Sequence, residues 1–211
     1  MKRKINPTRQ ELFRLRARLD LAVRGHKLLK DKLEALVKEV LKAVARYAKL
    51  VKQVETGLPH VVTQFALASA SSPGDTVKGA IFAQARPVDV TYERTWYMGV
   101  RLPGITPPEE PPGFTYSYVQ TGPELDAAVR SGREFLPVLI ELAQTQESLR
   151  LLAEELERTR RRTNALEYVM IPELTEEKKS VQQKLSELER SDTSRLMKIK
   201  EMLEAESAPT G

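Results

Sequence analysis

The chain has 211 residues, no cysteine, two histidines, 34 Lys and Arg against 29 Asp and Glu for a net charge of +5, and 6% aromatic residues. Zero cysteines exclude a disulfide framework, a thiol nucleophile and Cys-ligated zinc, and two histidines far apart at His26 and His60 make a poor metal site. Apolar runs are far shorter than the ~20 residues a membrane helix needs, and no apolar core follows the basic N-terminus, so a soluble intracellular protein with no membrane insertion is expected.

Proline divides the chain. Nine of the 13 prolines lie between Pro59 and Pro123, and such residues punctuate helices. Three segments are expected: an N-terminal helical arm over residues 1–72, a middle segment over 73–121, and a C-terminal helical arm over 122–211. Residues 1–54 carry 16 basic and 5 acidic side chains, residues 55–121 carry 4 and 6, and residues 122–211 carry 14 and 18. A basic first arm and an acidic last arm are natural partners, because flanking charge helps choose which helices pair.

In the first arm, alternate steps of three and four residues pass through Leu12, Leu15, Leu19, Ala22, His26, Leu29, Leu33, Leu36, Val40, Ala43, Tyr47, Leu50 and Val54 without meeting Lys, Arg, Asp or Glu. A seven-residue repeat kept this long winds helices about each other in a left-handed supercoil. The helix would span ~65 Å over this stripe, too long for the interior of a small globule. Asn6 or Thr8 is expected to cap it, with Pro7 tolerated beside the first turn. Gly57 and Pro59 are expected to bend or break its continuation toward Ser71.

The middle segment alternates in three runs, Val88-Val90-Tyr92, Trp96-Met98-Val100-Leu102 and Phe114-Tyr116-Tyr118, with the Pro107–Gly113 stretch between the last two. Period-two spacing beside a Pro/Gly-rich connector predicts a short β-hairpin, which needs to pack on the helices or on another subunit to be stable.

The last arm keeps the three-four step through Leu142, Thr145, Leu149, Leu152, Leu156, Thr159, Thr163, Leu166 and Met170, then resets by four to Leu174, Lys178, Val181, Leu185 and Leu188. The reset is a stutter beside Pro172, where a kink is expected, and Pro137 should either kink the helix or mark its start. The fold class is therefore mainly α: a long antiparallel two-helix coiled coil made by the two arms, with a β-hairpin between them. If paired residue numbers add to about 207, Leu19 faces Leu188, Ala22 faces Leu185, His26 faces Val181, Leu33 faces Leu174, Leu36 faces Met170, Val40 faces Leu166 and Leu50 faces Leu156.

No phosphate-cradling Gly-rich loop, dinucleotide fingerprint or positioned carboxylate pair is visible, so no catalytic, cofactor-binding or metal-binding residue is assigned. His26 on the seam reads as a proton switch or as a packed histidine bonded to the other arm. Gly25, destabilising in mid-helix, points to close approach of another backbone or a partner. Arg158, Arg160, Arg161 and Arg162 read either as a phosphate-binding cluster or, balanced by nearby glutamates, as a charged collar facing a partner. Asn164 reads as a register-fixing or partner-bonding polar group.

The stretches Asn6-Pro7-Thr8-Arg9, Arg24–Lys32, Arg160–Tyr168 followed by Ile171-Pro172, and Arg195–Lys200 together resemble the D subunit of the rotary V/A-type ATPases. The resemblance covers both arms; Thr163, where the family more often has valine, and Glu176–Lys179 depart from it. It implies a non-catalytic central-stalk rotor shaft, cytoplasmic and peripheral to the membrane. Such a shaft transmits torque between a ring of catalytic A and regulatory B subunits and a membrane ring that moves protons or sodium ions. It also implies an F subunit beside the shaft, a funnel-shaped subunit linking it to the membrane ring, and partner contacts among Arg160, Arg161, Arg162, Asn164 and Glu167. The competing readings are a non-rotary coiled-coil scaffold and a nucleic-acid-binding coiled coil.

Overall fold

The computed structural model describes residues 6–72, 75–83, 91–106, 116 and 121–206. In chain order these form α1 (Arg9–Ser71), α2 (Thr76–Ala83), β1 (Thr91–Tyr97), β2 (Val100–Thr106), α3 (Pro123–Ala165), a π-helical turn (Leu166–Met170) and α4 (Ile171–Glu206). The fold is mainly α, with a long N-terminal helix, a long C-terminal helical stretch and one antiparallel hairpin between them. Val88, Val90, Phe114, Tyr118 and the Pro107–Gly113 connector lie outside the described residues.

Thr8 starts α1: its hydroxyl accepts from the Glu11 N–H at 3.2 Å and its carbonyl from the Leu12 N–H at 3.1 Å, satisfying two of the donors a helix start leaves open. The helix does not end at Gly57 or Pro59. Gly57 has a packing reason instead of a punctuating one. A Cβ there would stand 2.5 Å from Cε2 of Phe135, so the missing side chain admits the ring of the facing helix. Pro123 opens α3 at a position where its absent N–H is harmless, with the Leu125 N–H bonded to the Gly122 carbonyl at 3.1 Å. Pro137 therefore lies inside α3 and does not mark its start.

The chain divides into two compact units. The first joins Met1–Leu33 to Arg158–Gly211 and the second is Glu34–Glu157. In the second unit, β1 and β2 pair from Thr91↔Thr106 to Tyr97↔Val100. Met98 and Gly99 make the two-residue turn, with φ of 49° and 85°, the left-handed pair whose twist suits a hairpin. This turn splits the Trp96–Leu102 run, which alternation alone lays along one strand. Tyr97, Val100 and Leu102 pack against Leu36 and Val40 of α1 and Leu151, Leu152 and Leu156 of α3, so the hairpin rests on the helices. On its other face the Arg101 guanidinium lies 4.6 Å from the Trp96 ring centroid. A second cluster gathers Ala68, Val77, Ala80, Tyr116, Leu125 and Ala128, with Phe65 and Val129 at its edge. Within it the Tyr116 hydroxyl donates to Asp126.

The first unit is simpler. Leu15 and Ala22 of α1 and Val181 of α4 are buried, as are Thr159 and Thr163 of α3. The Thr163 hydroxyl donates back to the Thr159 carbonyl at 2.9 Å, which lets a polar residue sit in a seam without an unpaired donor.

Helix pairing is antiparallel in both units, in a register other than the one expected. Arg9 pairs with Glu189 at 2.7 Å and His26 with Glu167 at 3.3 Å in the first unit, and Arg46 with Glu141 at 2.6 Å in the second. Their residue numbers add to 198, 193 and 187, more than one heptad away from 207. His26 thus meets Glu167 and not Val181. A heptad stripe looks the same after each seven-residue slide, so axial register is set by features the stripe does not contain. The Gly57–Phe135 fit and the hairpin cluster are two of them.

Candidate functional site

The seam positions of α1 are the side chains turned away from solvent. Leu15, Ala22 and Leu36 are buried, and Leu12, Leu19, His26, Leu29, Leu33 and Val40 are half-buried. On the returning helices Val181 is buried and Leu156, Leu166, Leu174 and Leu185 are half-buried, whereas Met170 and Leu188 are each 50% exposed. Met170 lies within the π-helical turn. Leu188 sits one residue from Glu189, the partner of Arg9 at the start of α1. Farther along α4, Leu196, Ile199 and Met202 are exposed.

The Arg160–Glu167 stretch occupies the end of α3 and the start of the π-helical turn. Helical spacing turns Thr159 and Thr163 inward and leaves Arg160, Arg161, Arg162 and Asn164 on the solvent side. Glu167 reaches across to α1, its carboxylate accepting from His26 Nε2. Tyr168 and Val169 are exposed beside it. The turn itself follows from Pro172. Proline has no N–H to return to residue 168 and its ring crowds that carbonyl. The ladder widens there, and the Ile171 N–H bonds to the Leu166 carbonyl five residues back. A π turn admits one extra residue into a helix and is common at functional positions. The sequence signal for it is the pair of consecutive four-residue steps, Leu166 to Met170 to Leu174, immediately around the proline.

Gly25, three residues from Ala22 and one from His26, faces open space, with nothing within 4 Å of where a Cβ would stand. Among the described residues no other backbone of this chain approaches it. Farther along α3, Arg150 bonds both Glu147 and Glu154. The hydrogen bond from Arg150 holds the Glu147 carboxyl below its ordinary value, and the two glutamates push the guanidinium further up. Both groups are on the surface, so this is a solvated collar and not a site prepared for proton transfer. Among the described residues no group of three or more acids and histidines is placed to hold a metal, and no helix is long and apolar enough to cross a membrane.

The site is thus a long two-helix surface bearing an arginine run, a π turn and an apolar helix end. The family described as the ATP synthase D subunit matches residues 11–201. The V-type ATP synthase D subunit of Acetivibrio thermocellus is 41% identical over 204 residues, covering 95% of this chain and 92% of that protein. The proteins of the same name from Thermoanaerobacter sp. strain X514 and Clostridium botulinum type A are each 40% identical, over 94% and 97% of this chain and 96% and 97% of their own lengths. With nearly end-to-end similarity to these proteins and a match that spans both units, the chain belongs to the family of ATP synthase D subunits.

Proposed function

We propose that this chain is the central rotor shaft of a V/A-type ATPase, a non-catalytic component that couples nucleotide turnover elsewhere in the complex to ion movement. The observation that carries this reading is the family match over residues 11–201, with the two arms paired antiparallel within each unit. The division into arms at 1–72 and 122–211 and a middle segment at 73–121 is part of the same reading. In it the chain partners the F subunit, the catalytic A and regulatory B subunits, and the funnel-shaped subunit that leads to the membrane ring. It binds no nucleic acid and works on the cytoplasmic side, peripheral to the membrane.

A shaft acts by interacting unequally with the ring's conformations, since equal affinity for all of them shifts none. Unequal faces support such a role: the hairpin lies against Leu36, Leu152 and their neighbours, and the π turn interrupts one helix only. The exposed Arg160, Arg161 and Arg162, with Asn164 and Glu167, are the proposed contact with the surrounding ring. The test is reconstitution. Replacing Arg161 and Arg162 together by Glu should lower rotation-coupled ATPase activity or assembly of the complex while helix content is unchanged. Full coupled activity in the double variant would remove these residues from the bearing.

A further inference from the structure

Both helical stretches of the first unit lose their close packing at the same level. Leu15 of α1 and Val181 of α4 are buried to 1% and 2% exposure, so this unit closes its seam tightly where its sequence allows. Past Ala22, none of residues 23–33 is buried, and on the returning chain residues 158–180 bury only Thr159 and Thr163. The Thr163 hydroxyl is satisfied by the Thr159 carbonyl. The hydroxyl of Thr159, 1% exposed, has no hydrogen-bond partner among the described residues, and an unpaired buried hydroxyl works against closure of the seam around it. The backbones are weakened here as well. Gly25 stands in α1 with nothing within 4 Å of where a Cβ would be, so no packing offsets the freedom glycine brings to a helix. On the returning chain the π-helical turn Leu166–Met170 departs from α geometry just ahead of Pro172, which gives no N–H to the ladder. The His26–Glu167 contact at 3.3 Å sets the two weak points opposite each other, since His26 follows Gly25 and Glu167 belongs to the π turn. With the Glu167 side chain 49% exposed, that contact ties the helices only loosely.

We propose that this level, Gly25 and His26 against Thr159–Met170, is a soft point built into the shaft, where the two helical stretches open and reclose together and where twist under load is taken up. Local opening is drawn from the parts of a fold with the fewest buried apolar contacts, and helices bend or rewind at prolines and π turns before they do so elsewhere. Here both conditions meet on one helix, and a glycine stands opposite on the other. The twist depends on the rotor reading; the opening is a property of the chain by itself.

Amide hydrogen exchange of the full-length chain, read segment by segment by mass spectrometry, tests the opening. Residues 22–30 and 160–171 should be protected at least about tenfold less than residues 36–50 of α1 and 176–184 of α4. Gly25→Ala, whose methyl meets nothing, should raise protection about threefold in both weak segments, because they open as one. Thr159→Val, which removes the unpaired hydroxyl at nearly constant volume, should raise protection in both by a similar factor of about three or more. The load is tested in the complex purified from cells: ATP turnover should lower protection of the two weak segments at least about threefold relative to the resting complex and leave the reference segments unchanged. Equal protection along the arms, a Gly25→Ala effect confined to α1, or weak segments that exchange alike at rest and during turnover overturns the proposal. Recovery of the chain from cells without any other ATPase component sinks the rotor reading and the loaded half of this inference, whereas the contrast in the isolated chain stands or falls separately.

Discussion

The two units are built from the same pair of helical arms yet are held together differently. In the second, Leu36 and Leu152 are enclosed by three elements, because the hairpin inserts Tyr97, Val100 and Leu102 against both helices, and a further cluster closes around Ala68 and Leu125. In the first, the described residues form two helical stretches with a seam of Leu15, Ala22 and Val181 helped by two inward threonines, and ion pairs at its edge. Leu15 is covered as closely as Leu152, each 1% exposed, so the two units differ in how many elements enclose a buried side chain and not in how much water reaches it. The difference teaches that one heptad pattern supports a seam closed by two helical stretches or a core closed by three elements, depending on what the middle segment lays across it.

The largest effect should separate the units directly. Leu152→Ala is expected to destabilise the chain by about 3–5 kcal/mol, measured by urea denaturation, because a cavity between three elements cannot close. Leu15→Ala should lie nearer ~2 kcal/mol, since two helices can move together to fill the gap. Equal losses at the two positions would break the comparison.

Two glycines sharpen it. Gly57→Ala should destabilise by about 1–3 kcal/mol, as the new methyl collides with the Phe135 ring in the second unit. Gly25→Ala in the first unit should stabilise the isolated chain by about 0.5–1 kcal/mol, the ordinary gain of alanine in an uncrowded helix. A functional defect in the stabilised Gly25→Ala variant would locate a partner at that spot. Smaller still, Leu188→Ala should change stability by less than about 0.5 kcal/mol, because the side chain is already half in water.

The smallest effect is a pH dependence. The Glu147 carboxyl is held below its ordinary value in the folded state. Its contribution is therefore present above the unfolded-state value and is lost as pH falls through the lowered folded one. Glu147→Gln should flatten that part of the acid-side slope by lowering stability slightly near neutral pH, as expected for a screened surface pair, and should leave stability unchanged at acid pH. A steeper acid slope in the variant would contradict the assignment.

Much of this fold was legible in the sequence, and unevenly so. The inward face of α1 follows from the Leu12–Val54 stripe because burial is periodic, and the start at Thr8 because a hydroxyl there completes the first turn. The register did not follow, since each heptad offers the same leucine face to several partners. The Met98-Gly99 turn was hidden for a related reason: alternation continues through a two-residue turn, so Trp96 and Val100 read as neighbours on one strand while they stand on opposite strands. Pro172 and the four-residue reset located a disturbance, but a kink and a π turn leave the same trace in a hydrophobic pattern. Of the proposed contact residues, the sequence named the arginine run and Glu167, while the pairing of Glu167 with His26 came only with the register.

Because the chain has no native cysteine, paired cysteines give the most direct test of the antiparallel pairing and its register. Cysteines at His26 and Glu167, treated with a short bismaleimide in the full-length chain, should cross-link rapidly within one molecule, while cysteines at His26 and Val181 should not. Efficient cross-linking of the second pair and none of the first would contradict the account.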